Sequence, residues 1–460
     1  MNPITIPNIT IPVIGLPAIG IPSVGFPSAS GGGLAWPAGM KESIKAIYDP
    51  AKQGMTNYDV IESYAEDFSK FPWNNKKEKY TGTLTPNTLT ITNVAVTSAL
   101  IYTNSKPENF KVYITGIKDN QQVIFGDDTS TYRALIVEKD GVYDVNWEDN
   151  HHSYCIWCNF LGDCNITITQ LPTSILKDLS GNGNHAYLYG GKGKLNSGMG
   201  VYQEDFTTWN NKDKNSIEVK SNKIHVTYNK FTKEGFITTI YTPYTFKPYK
   251  LKFKGITDKP MYIGTANDYS KGIIIEKDGI YEVKFINGYN GVYAIGFIDY
   301  VGDCDITITQ IPDYPNQLCY DGKMYAVCYG FPILTDYTVM ADRTWFENEG
   351  NRVFITKGNI WPNCAFTFEK INVALRSETF SYSQSTNIDD LIGKSGITYQ
   401  TKQSYNGKII GVGTSSDGDI LLIGGQSKGE YIGCHGKIII ADRSFTEDEI
   451  TWLKDNWKKI

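Results

Sequence analysis

The sequence has little cysteine and no excess of positive charge, and each shortage excludes a class of protein. Eight cysteines among 460 residues are too few for a disulfide scaffold, so we expect buried free thiols. The 44 basic and 49 acidic residues nearly cancel, which gives no electrostatic case for nucleic acid or an anionic membrane as partner. The sequence motifs of serine hydrolases, zinc proteases and phosphate-binding loops are missing. We therefore expect neither an enzyme nor a cofactor.

The first 40 residues contain no Asp, Glu, Lys or Arg, but proline recurs every five residues between apolar pairs. A signal peptide needs a basic start, and a membrane helix needs an apolar run without frequent prolines, so both are excluded. Proline fixes an extended backbone, in which successive apolar pairs point to opposite faces. Such a strand must be covered by other protein, so residues 1–36 are predicted to be an anchoring arm in an assembly. The anchoring residues are Pro7, Ile9, Ile11, Pro12, Ile14, Leu16, Pro17, Ile19, Ile21, Pro22, Phe26 and Pro27.

Two stretches of the chain repeat each other. LIVEKDGVYDVNW at 135–147 matches IIIEKDGIYEVKF at 273–285, and LGDCNITITQLP matches VGDCDITITQIP further along. Apolar and polar residues alternate inside both copies, as in strands with one buried face. Each copy is predicted to be a β-sandwich, at residues 78–172 and 204–313. The Lys-Asp-Gly segments in the two copies are predicted to be hairpin turns.

Metal-ligand residue types cluster in one segment, which contains His151, His152, Cys155, Cys158 and Cys164. A zinc site would need a second Cys or His pair at a defined spacing, and none follows. Cys164 also has a repeat counterpart, Cys304, without such neighbours. We therefore predict no metal site and expect Cys164 to be a core residue in a turn.

The remaining fragments, 37–77, 173–203 and 314–460, are predicted to form one split domain around the repeats. The chain ends in an apolar strand and a helix for which Thr446 and Glu449 form a capping box. A further helix is predicted over residues 58–68, with Asn57 as its N-cap.

Residues 178–185, DLSGNGNH, resemble the D-x-SGNGN-H turn near the start of concanavalin-like and laminin-G-like jelly rolls. The combination of YDPAKQGMTN, LKDLSGNGNHAYLYG and SGMGVY resembles virion fibre and tail-associated proteins of Bacteroidales phages and prophages, including crAss-like phages. The resemblance covers only the split domain. It implies an all-β fold in which a jelly roll is interrupted by the two repeated sandwiches. The turn is predicted to be structural, because Gly and Asn supply left-handed backbone.

This resemblance implies a structural protein of a phage virion, in the head or the tail, made in the host cytoplasm. Its arm would contact other virion proteins, and its lectin-like modules would bind a host glycan. Family analogy favours a homotrimer. A secreted or surface bacterial lectin and a polysaccharide depolymerase remain the alternatives. A depolymerase would need two carboxylates, such as Asp336 and Glu347, although nothing in the sequence selects that pair.

Aromatic residues beside amides are the candidates for contacting a sugar, since sugar rings stack on aromatic faces. Each could instead be a core residue. The candidates are Trp345, Trp361, Asn363, Tyr289, Asn290 and Tyr293.

Overall fold

The computed structural model describes the chain from residue 34 onward, with gaps. The gaps are residues 58, 71, 128–131, 194–205, 212–215, 221–222, 233–235, 243–248, 258–259, 266–267, 284–292, 299–300, 347–352, 359–363, 370–371, 377–380, 386–394, 403, 406–407, 410–417 and 426–430. The predicted anchoring residues of the arm lie outside the described residues. So do Trp361, Asn363, Tyr289, Asn290 and Glu347.

Strands dominate the described chain. It starts with helix α1 (Met40–Ser43) and strand β1 (Ile44–Tyr48). The next strands are β2 (Asn74–Asn75), β3 (Tyr80–Leu84), β4 (Thr88–Val94), β5 (Ala99–Thr103), β6 (Phe110–Thr115), β7 (Val123–Gly126), β8 (Arg133–Val137), β9 (Gly141–Val145), β10 (Tyr154–Cys158) and β11 (Gly162–Gln170). They are followed by β12 (Ile175–Leu176) and β13 (Ala186–Tyr189).

The second half continues in the same way. Its first strands are β14 (Asn210–Asn211), β15 (Ile217–Lys220), β16 (Lys223–Thr232), β17 (Phe236–Thr242), β18 (Tyr249–Lys254), β19 (Met261–Thr265), β20 (Asp268–Ile275), β21 (Gly279–Val283), β22 (Tyr293–Ile298) and β23 (Val301–Ile311). The last are β24 (Leu318–Asp321), β25 (Tyr325–Tyr329), β26 (Thr338–Trp345), β27 (Val353–Gly358), β28 (Cys364–Glu369), β29 (Asn372–Arg376), β30 (Ser381–Ser385), β31 (Gly396–Thr401), β32 (Ser404–Tyr405), β33 (Lys408–Ile409), β34 (Ile420–Ile423) and β35 (Ile432–Ala441). Helix α2 (Glu447–Asn456) follows, and short 3₁₀ turns lie at Lys77–Lys79 and Phe206–Thr208.

Strands β1, β12, β13 and β24–β35 form two antiparallel sheets, which we call the host sandwich. One sheet has the order β1-β35-β26-β31-β32-β33, with β24 also pairing β35, and the other has the order β12-β13-β25-β34-β27-β28-β29-β30. Strand β35 is apolar on both faces because both are covered. Ile438 and Ile440 point into the core between the sheets, whereas Ile439 packs under α2 beside Ile450 and Leu453.

The first sandwich (β2–β11) and the second sandwich (β14–β23) have the same topology. The sheets of the first are ordered β2-β5-β10-β7-β8 and β3-β4-β11-β6-β9. Those of the second are β14-β17-β22-β19-β20 and β15-β16-β23-β18-β21, which is the same order strand for strand. Each has its own apolar core between its sheets. The prediction of an all-β protein with two repeated sandwiches inserted in a split one is therefore confirmed.

The Lys-Asp-Gly segments are not hairpin turns, so that prediction is wrong. Strand β8 belongs to one sheet of the first sandwich and β9 to the other, and β20 and β21 are separated in the same way. The segment crosses from sheet to sheet because its aspartate is held by the facing sheet. Asp140 Oδ1 accepts a hydrogen bond from the Ile117 N–H (2.9 Å), and Asp278 Oδ1 accepts one from Ile256 (2.7 Å).

The helix predicted over residues 58–68 is also wrong for the described part of that segment, which has an irregular backbone. Val60 is buried in the host core and Phe68 in the core of the first sandwich, so one helical face could not serve both. Asn57 does not cap a helix. Its amide donates to the Cys319 carbonyl oxygen (2.7 Å) and its oxygen accepts from the Cys319 N–H (2.9 Å).

The chain enters and leaves the first sandwich at one point. The Thr173 N–H donates to the Ser63 carbonyl oxygen (3.0 Å), and the two side-chain hydroxyls lie 2.6 Å apart. In the next residue, Ser174 Oγ donates to the Ile61 carbonyl oxygen (2.8 Å). The incoming and outgoing segments therefore form a small clasp at the edge of the host sandwich.

The first sandwich also packs on the host sandwich. Tyr113 of β6 and Val142 of β9 point out of their own sheet and pack on the outer face of the host sheet that contains β13, β25 and β34. The Tyr113 ring stacks on Tyr329 with centroids 4.3 Å apart. Beside it, Lys111 and Asp144 form an ion pair at 2.5 Å.

The Asp178–His185 turn has the structural role that was predicted for it. Gly181 and Gly183 have positive φ angles of 92° and 78°. The buried Asp178 carboxylate accepts from the N–H groups of Ile47 (2.9 Å) and Ser180 (2.8 Å) through Oδ1. The turn thereby fastens β1 to the connection between β12 and β13, which belong to the other sheet of the host sandwich. Among the described residues, no helix is long and apolar enough to cross a membrane.

Candidate functional site

A polar cleft of about 420 Å³ opens in the host sandwich where β1, β26 and β35 meet the end of α2. The side chains that give it its chemistry are those of Asp49, Gln317, Asp342, Lys437 and Trp457, with Lys52 and Lys458 at the same cleft. Gly436 also lines it. We call these residues the polar cleft.

Asp342 lies opposite an irregularity in β35. Ala341 pairs with Ile438 and Arg343 with His435, so Gly436 and Lys437 form a β-bulge opposite Asp342. Bulges redirect side chains and are frequent beside functional sites. A Cβ on Gly436 would lie 2.9 Å from Asp342 Oδ2, so glycine at this position leaves room for the carboxylate. The sheet is thus built around the position of this acid.

The Asp342 carboxyl is partly buried and accepts little hydrogen bonding. Its hydrogen bond among the described residues is a long one, from Gln317 Nε2 to Oδ2 at 3.4 Å. Burial raises the pKa of Asp342, the nearby Asp49 raises it further, and Arg343 and Lys437 act in the opposite direction. Asp342 therefore holds a proton at higher pH than an ordinary aspartate. A ligand hydroxyl in the cleft would supply the missing hydrogen bonds.

Asp49 and Lys437 form the fixed wall of the cleft. Their side chains are 8% and 5% exposed, and Lys437 Nζ lies 3.5 Å from Asp49 Oδ2. Lys437 Nζ also donates to the Trp457 carbonyl oxygen at the end of α2. Burial lowers the pKa of Lys437, and Asp49 opposes that change. Removing either partner would leave a buried charge unpaired, so this pair keeps the wall rigid.

Gln317 forms the facing wall and is held by the sheet below it. Its Oε1 accepts from Cys434 Sγ (2.8 Å), and its Nε2 donates to Ser395 Oγ (3.1 Å). The preceding Asn316 has a left-handed φ of 65°. Left-handed backbone is costly for a residue with a Cβ and least so for Asn and Asp. The turn before β24 is therefore shaped to bring this amide into the cleft.

The cleft presents hydrogen-bond acceptors and donors at fixed positions. Asp342 and Asp49 carry carboxylate oxygens, Gln317 carries an amide, and lysine ammonium groups lie among them. Such an array can bind a small polyhydroxylated molecule, whose hydroxyls both donate and accept. Its two carboxyl groups differ in environment, which is also the arrangement that acid–base chemistry requires.

Trp345 is not a sugar-contacting residue, so that prediction is wrong. Its side chain is 1% exposed, because β26 points it into the host core, and its ring meets Tyr431 edge-on at 4.8 Å. Tyr293 begins β22, where its backbone pairs with Thr242 and Thr265. Its side chain lies outside the described residues.

The histidine and cysteine segment is divided between different surroundings. Cys158 and Cys164 lie in the core of the first sandwich, whereas Cys155 packs beside Trp157 on the outer face of its sheet. The predicted core position of Cys164 is confirmed, but it lies in strand β11 and not in a turn. Cys304 is buried in the same way in β23 of the second sandwich. The His151 ring stacks on Tyr132 at 3.8 Å. No cluster of three metal-ligand side chains occurs within the described ranges.

Asp336 stabilises the fold and does not line the polar cleft. Its carboxylate accepts from the Ser444 N–H (2.8 Å) and the Ser444 hydroxyl (2.6 Å), which joins the start of β26 to the segment before α2. The pair that it was suggested to form with Glu347 cannot be placed, because Glu347 lies outside the described residues.

No local signal in the sequence predicts the polar cleft. Its residues come from the ends of β1, β26, β35 and α2 and from the turn before β24, which are far apart in the chain. A β-bulge that contains a glycine has no sequence signature of its own. Only the strand pairing brings Asp342 next to Gly436.

Comparison with known proteins assigns no family. No protein-family model matches the chain, and no curated protein matches it. Among solved structures, the extracellular region of zebrafish Gpr126/Adgrg6 shares 11% identity over 50% of this chain and 37% of that one, with a TM-score of 0.23. The match thus spans little more than a third of that receptor region. A Trypanosoma rangeli sialidase shares 10% identity over 81% of this chain and 68% of that one, with a TM-score of 0.23.

A chain from the structure of the entire lipid-containing bacteriophage PM2 shares 10% identity over 78% of this chain and 100% of that one, with a TM-score of 0.14. At these TM-scores none of the similarities carries a functional argument.

Proposed function

We propose that this chain is a structural protein of a phage virion and that it binds a glycan of the host surface. The observation that carries the glycan part is the polar cleft, in which Asp342 is poorly satisfied while the walls are fixed. The virion part is supported by the sequence resemblance and by the apolar arm. The arm would join the particle, and the host sandwich would present the cleft outward.

The chemistry of the cleft suits a sugar better than an apolar ligand. Its volume of about 420 Å³ falls in the range of roughly 300–1,000 Å³ that small-molecule sites occupy. Asp342 would accept from sugar hydroxyls, and Gln317 and the lysines would donate to them. A site built to satisfy hydroxyls also rejects molecules that lack them, because its polar groups would be left unpaired.

Binding is tested with the full chain on an array of bacterial surface glycans, followed by calorimetry with the glycan that binds. Asp342→Asn should weaken affinity by about tenfold to a hundredfold, since a hydrogen bond to a charged group is lost. The control is Asp119→Asn, which changes an exposed aspartate of the first sandwich and should bind like the wild type. Unchanged affinity in Asp342→Asn, or no glycan bound at all, would refute the glycan part.

The virion part is tested separately by mass spectrometry of purified particles. The chain should be present in particles, and deleting residues 1–33 should remove it while the remaining protein still folds, because Leu34 and Trp36, which pack beside α2, are kept. We also propose a homotrimer, which light scattering of the purified chain would show as three times the chain mass. Incorporation of the truncated chain would disprove the anchoring arm, and secretion by a bacterial host would favour the surface lectin instead.

A second candidate function is cleavage of a polysaccharide. It is favoured by one observation, that Asp342, whose pKa is raised, shares a cleft with the carboxylate of Asp49. Glycoside hydrolysis uses one carboxyl group as an acid and another as a base or nucleophile. Shortening of host capsular polysaccharide by the wild type, abolished in Asp342→Asn while the polysaccharide still binds, would establish it. If the polysaccharide stays intact after incubation, the chain binds it without cleaving it.

A further inference from the structure

Strand β18 of the second sandwich carries a row of three exposed lysines. Lys250, Lys252 and Lys254 alternate with Leu251 and Phe253, which are buried in the sandwich core. Alternate residues of a strand point to the same face and are roughly 7 Å apart. The outer face of this sheet therefore presents three ammonium groups in line, and we call it the lysine face.

The equivalent face of the first sandwich is covered by the host sandwich. Strand β6 occupies the position of β18 in the sheet order and carries Lys111, Tyr113 and Thr115 on its outer side. Tyr113 stacks on the host sandwich, and Lys111 is paired with Asp144. The second sandwich has Lys252 where the first has Tyr113, so its face lacks the ring that makes this contact and stays exposed.

Neither protection of a sheet edge nor ion pairing within the second sandwich accounts for the three lysines. Strand β18 lies between β23 and β21, so its lysines do not protect a sheet edge from pairing. None of the three forms an ion pair with a described residue. Acids of the same sheet are engaged elsewhere: Glu218 of β15 pairs with Lys220 at 3.0 Å and Asp305 of β23 with His225 at 2.7 Å. Glu282, the strand partner of Lys250, also has another contact.

We propose that the lysine face binds an acidic polysaccharide. Carboxylates that recur along such a polymer would pair with the ammonium groups. Thr309 and Thr307, the strand partners of Lys252 and Lys254, supply hydroxyls for hydrogen bonds to the sugars. Ile280, the partner of Lys252 on the other side, is 60% exposed and offers an apolar contact. This inference rests on the proposed glycan-binding function and names the chemical class of a second glycan site.

An acidic polysaccharide fits this face better than nucleic acid or membrane. Single-stranded nucleic acid is bound by aromatic side chains that stack on bases, and the described outward residues of β18 are all lysines. Binding to anionic lipid takes clusters of basic residues. On this sheet Lys220 and Lys223 add to the row, but Glu218, Glu282 and Asp305 lie among the lysines, and the net charge of the chain is −5.

The test measures binding of the full chain to immobilised polygalacturonate, a uronic-acid polymer, with neutral dextran as the control surface. The triple variant Lys250→Gln, Lys252→Gln, Lys254→Gln should lose about tenfold to a hundredfold in affinity at low salt. Its matched control is Lys118→Gln, Lys139→Gln, Lys323→Gln, which removes the same charge from exposed positions elsewhere. This control should bind like the wild type, and added salt should abolish the difference.

The outcomes separate this inference from the proposed function. Asp342→Asn should leave binding to polygalacturonate unchanged, because the polar cleft is a different site. Loss of polygalacturonate binding in Asp342→Asn but not in the lysine variant would overturn the lysine face and leave the cleft intact. Equal binding by the two triple variants, or no binding by the wild type, would overturn it as well. Stronger binding to phosphatidylserine vesicles or single-stranded DNA than to polygalacturonate would exclude the polysaccharide.

Discussion

His435 is a neutral histidine at the centre of the host sandwich. Its Nδ1 lies 2.7 Å from the Gly436 carbonyl oxygen, which can only accept, so Nδ1 carries the proton. Its Nε2, 2.9 Å from the Tyr320 hydroxyl, is then the acceptor. The ring is fully buried, and burial lowers the pKa of His435 to about 4. His435 directly precedes Gly436, the glycine that makes room for Asp342. The packing of β35 thus depends on a histidine that must stay uncharged.

This histidine makes stability depend on pH. The unfolded chain binds the proton below about pH 6.5 and the folded chain only below about pH 4, so stability present above pH 6.5 is lost as the pH falls toward 4. Between pH 7 and pH 5 we expect the free energy of unfolding to drop by about 2 kcal/mol more in the wild type than in His435→Gln. Urea denaturation at the two pH values measures both drops. Equal drops would contradict the assignment.

Asp178 should be the most sensitive residue of the turn at 178–185. Asp178→Ala leaves the N–H groups of Ile47, Ser180 and Asn184 without their acceptor. We expect it to cost about 2–4 kcal/mol of unfolding free energy. Asp178→Asn is the matched variant and should cost less, since its remaining oxygen can still accept from Ile47 and Ser180. If the denaturation curves of Asp178→Ala and the wild type agree within error, the turn does not stabilise the attachment of β1.

At the scale of single elements, α2 was predictable because its signals are local. Thr446 Oγ1 accepts from the Glu449 N–H (3.3 Å), and Glu449 Oε2 accepts from the Thr446 N–H (2.9 Å), so the predicted capping box is confirmed. Ile450 and Leu453 are buried under the sheet, as their spacing indicated.

The cap gives a direct prediction for this helix. Thr446→Ala should lower the free energy of unfolding by about 1 kcal/mol, because the first turn loses a side-chain acceptor. Thr451→Ala is the control on the same helix, where an exposed β-branched residue is replaced by a better helix former, and it should be neutral or slightly stabilising. Thermal unfolding followed by circular dichroism compares the two. A loss in Thr451→Ala as large as in Thr446→Ala would argue against the capping role.

The structure of other elements could not be predicted from the sequence, because contacts with residues far away in the chain determine it. The Lys-Asp-Gly segment has the composition of a hairpin turn, yet Asp140 is bound to Ile117 of a different strand connection, and the chain changes sheet. Residues 59–68 have a helical spacing of apolar side chains, but Val60 and Phe68 belong to two separate cores. Asp342 fits into the polar cleft because it lies opposite the bulge that contains Gly436. In each case the deciding partner is remote in the chain.

At the scale of the whole molecule, the first sandwich should unfold together with the host sandwich. Tyr113→Lys places in the first sandwich the residue that the second has at this position and removes the ring stacked on Tyr329. An aromatic pair contributes roughly 0.5–1.5 kcal/mol beyond its buried area, and the charge would lie against an apolar surface. We expect calorimetry to resolve an additional, earlier transition in this variant.

Thr83→Lys is the control for this prediction, since it adds the same charge at an exposed position of the same sheet. It should unfold like the wild type. If Tyr113→Lys and Thr83→Lys give the same calorimetric trace, the two sandwiches are not coupled through Tyr113.

The clasp between Ser63 and Thr173 makes the first sandwich a cassette. Because its two ends already touch, a direct splice from Ser63 to Thr173 would excise the whole module without stretching the host around a gap. The same junction could receive a foreign domain whose termini are adjacent. Such a domain would also have to replace Tyr113 and Val142, because the face of the host sandwich that they cover would otherwise meet water.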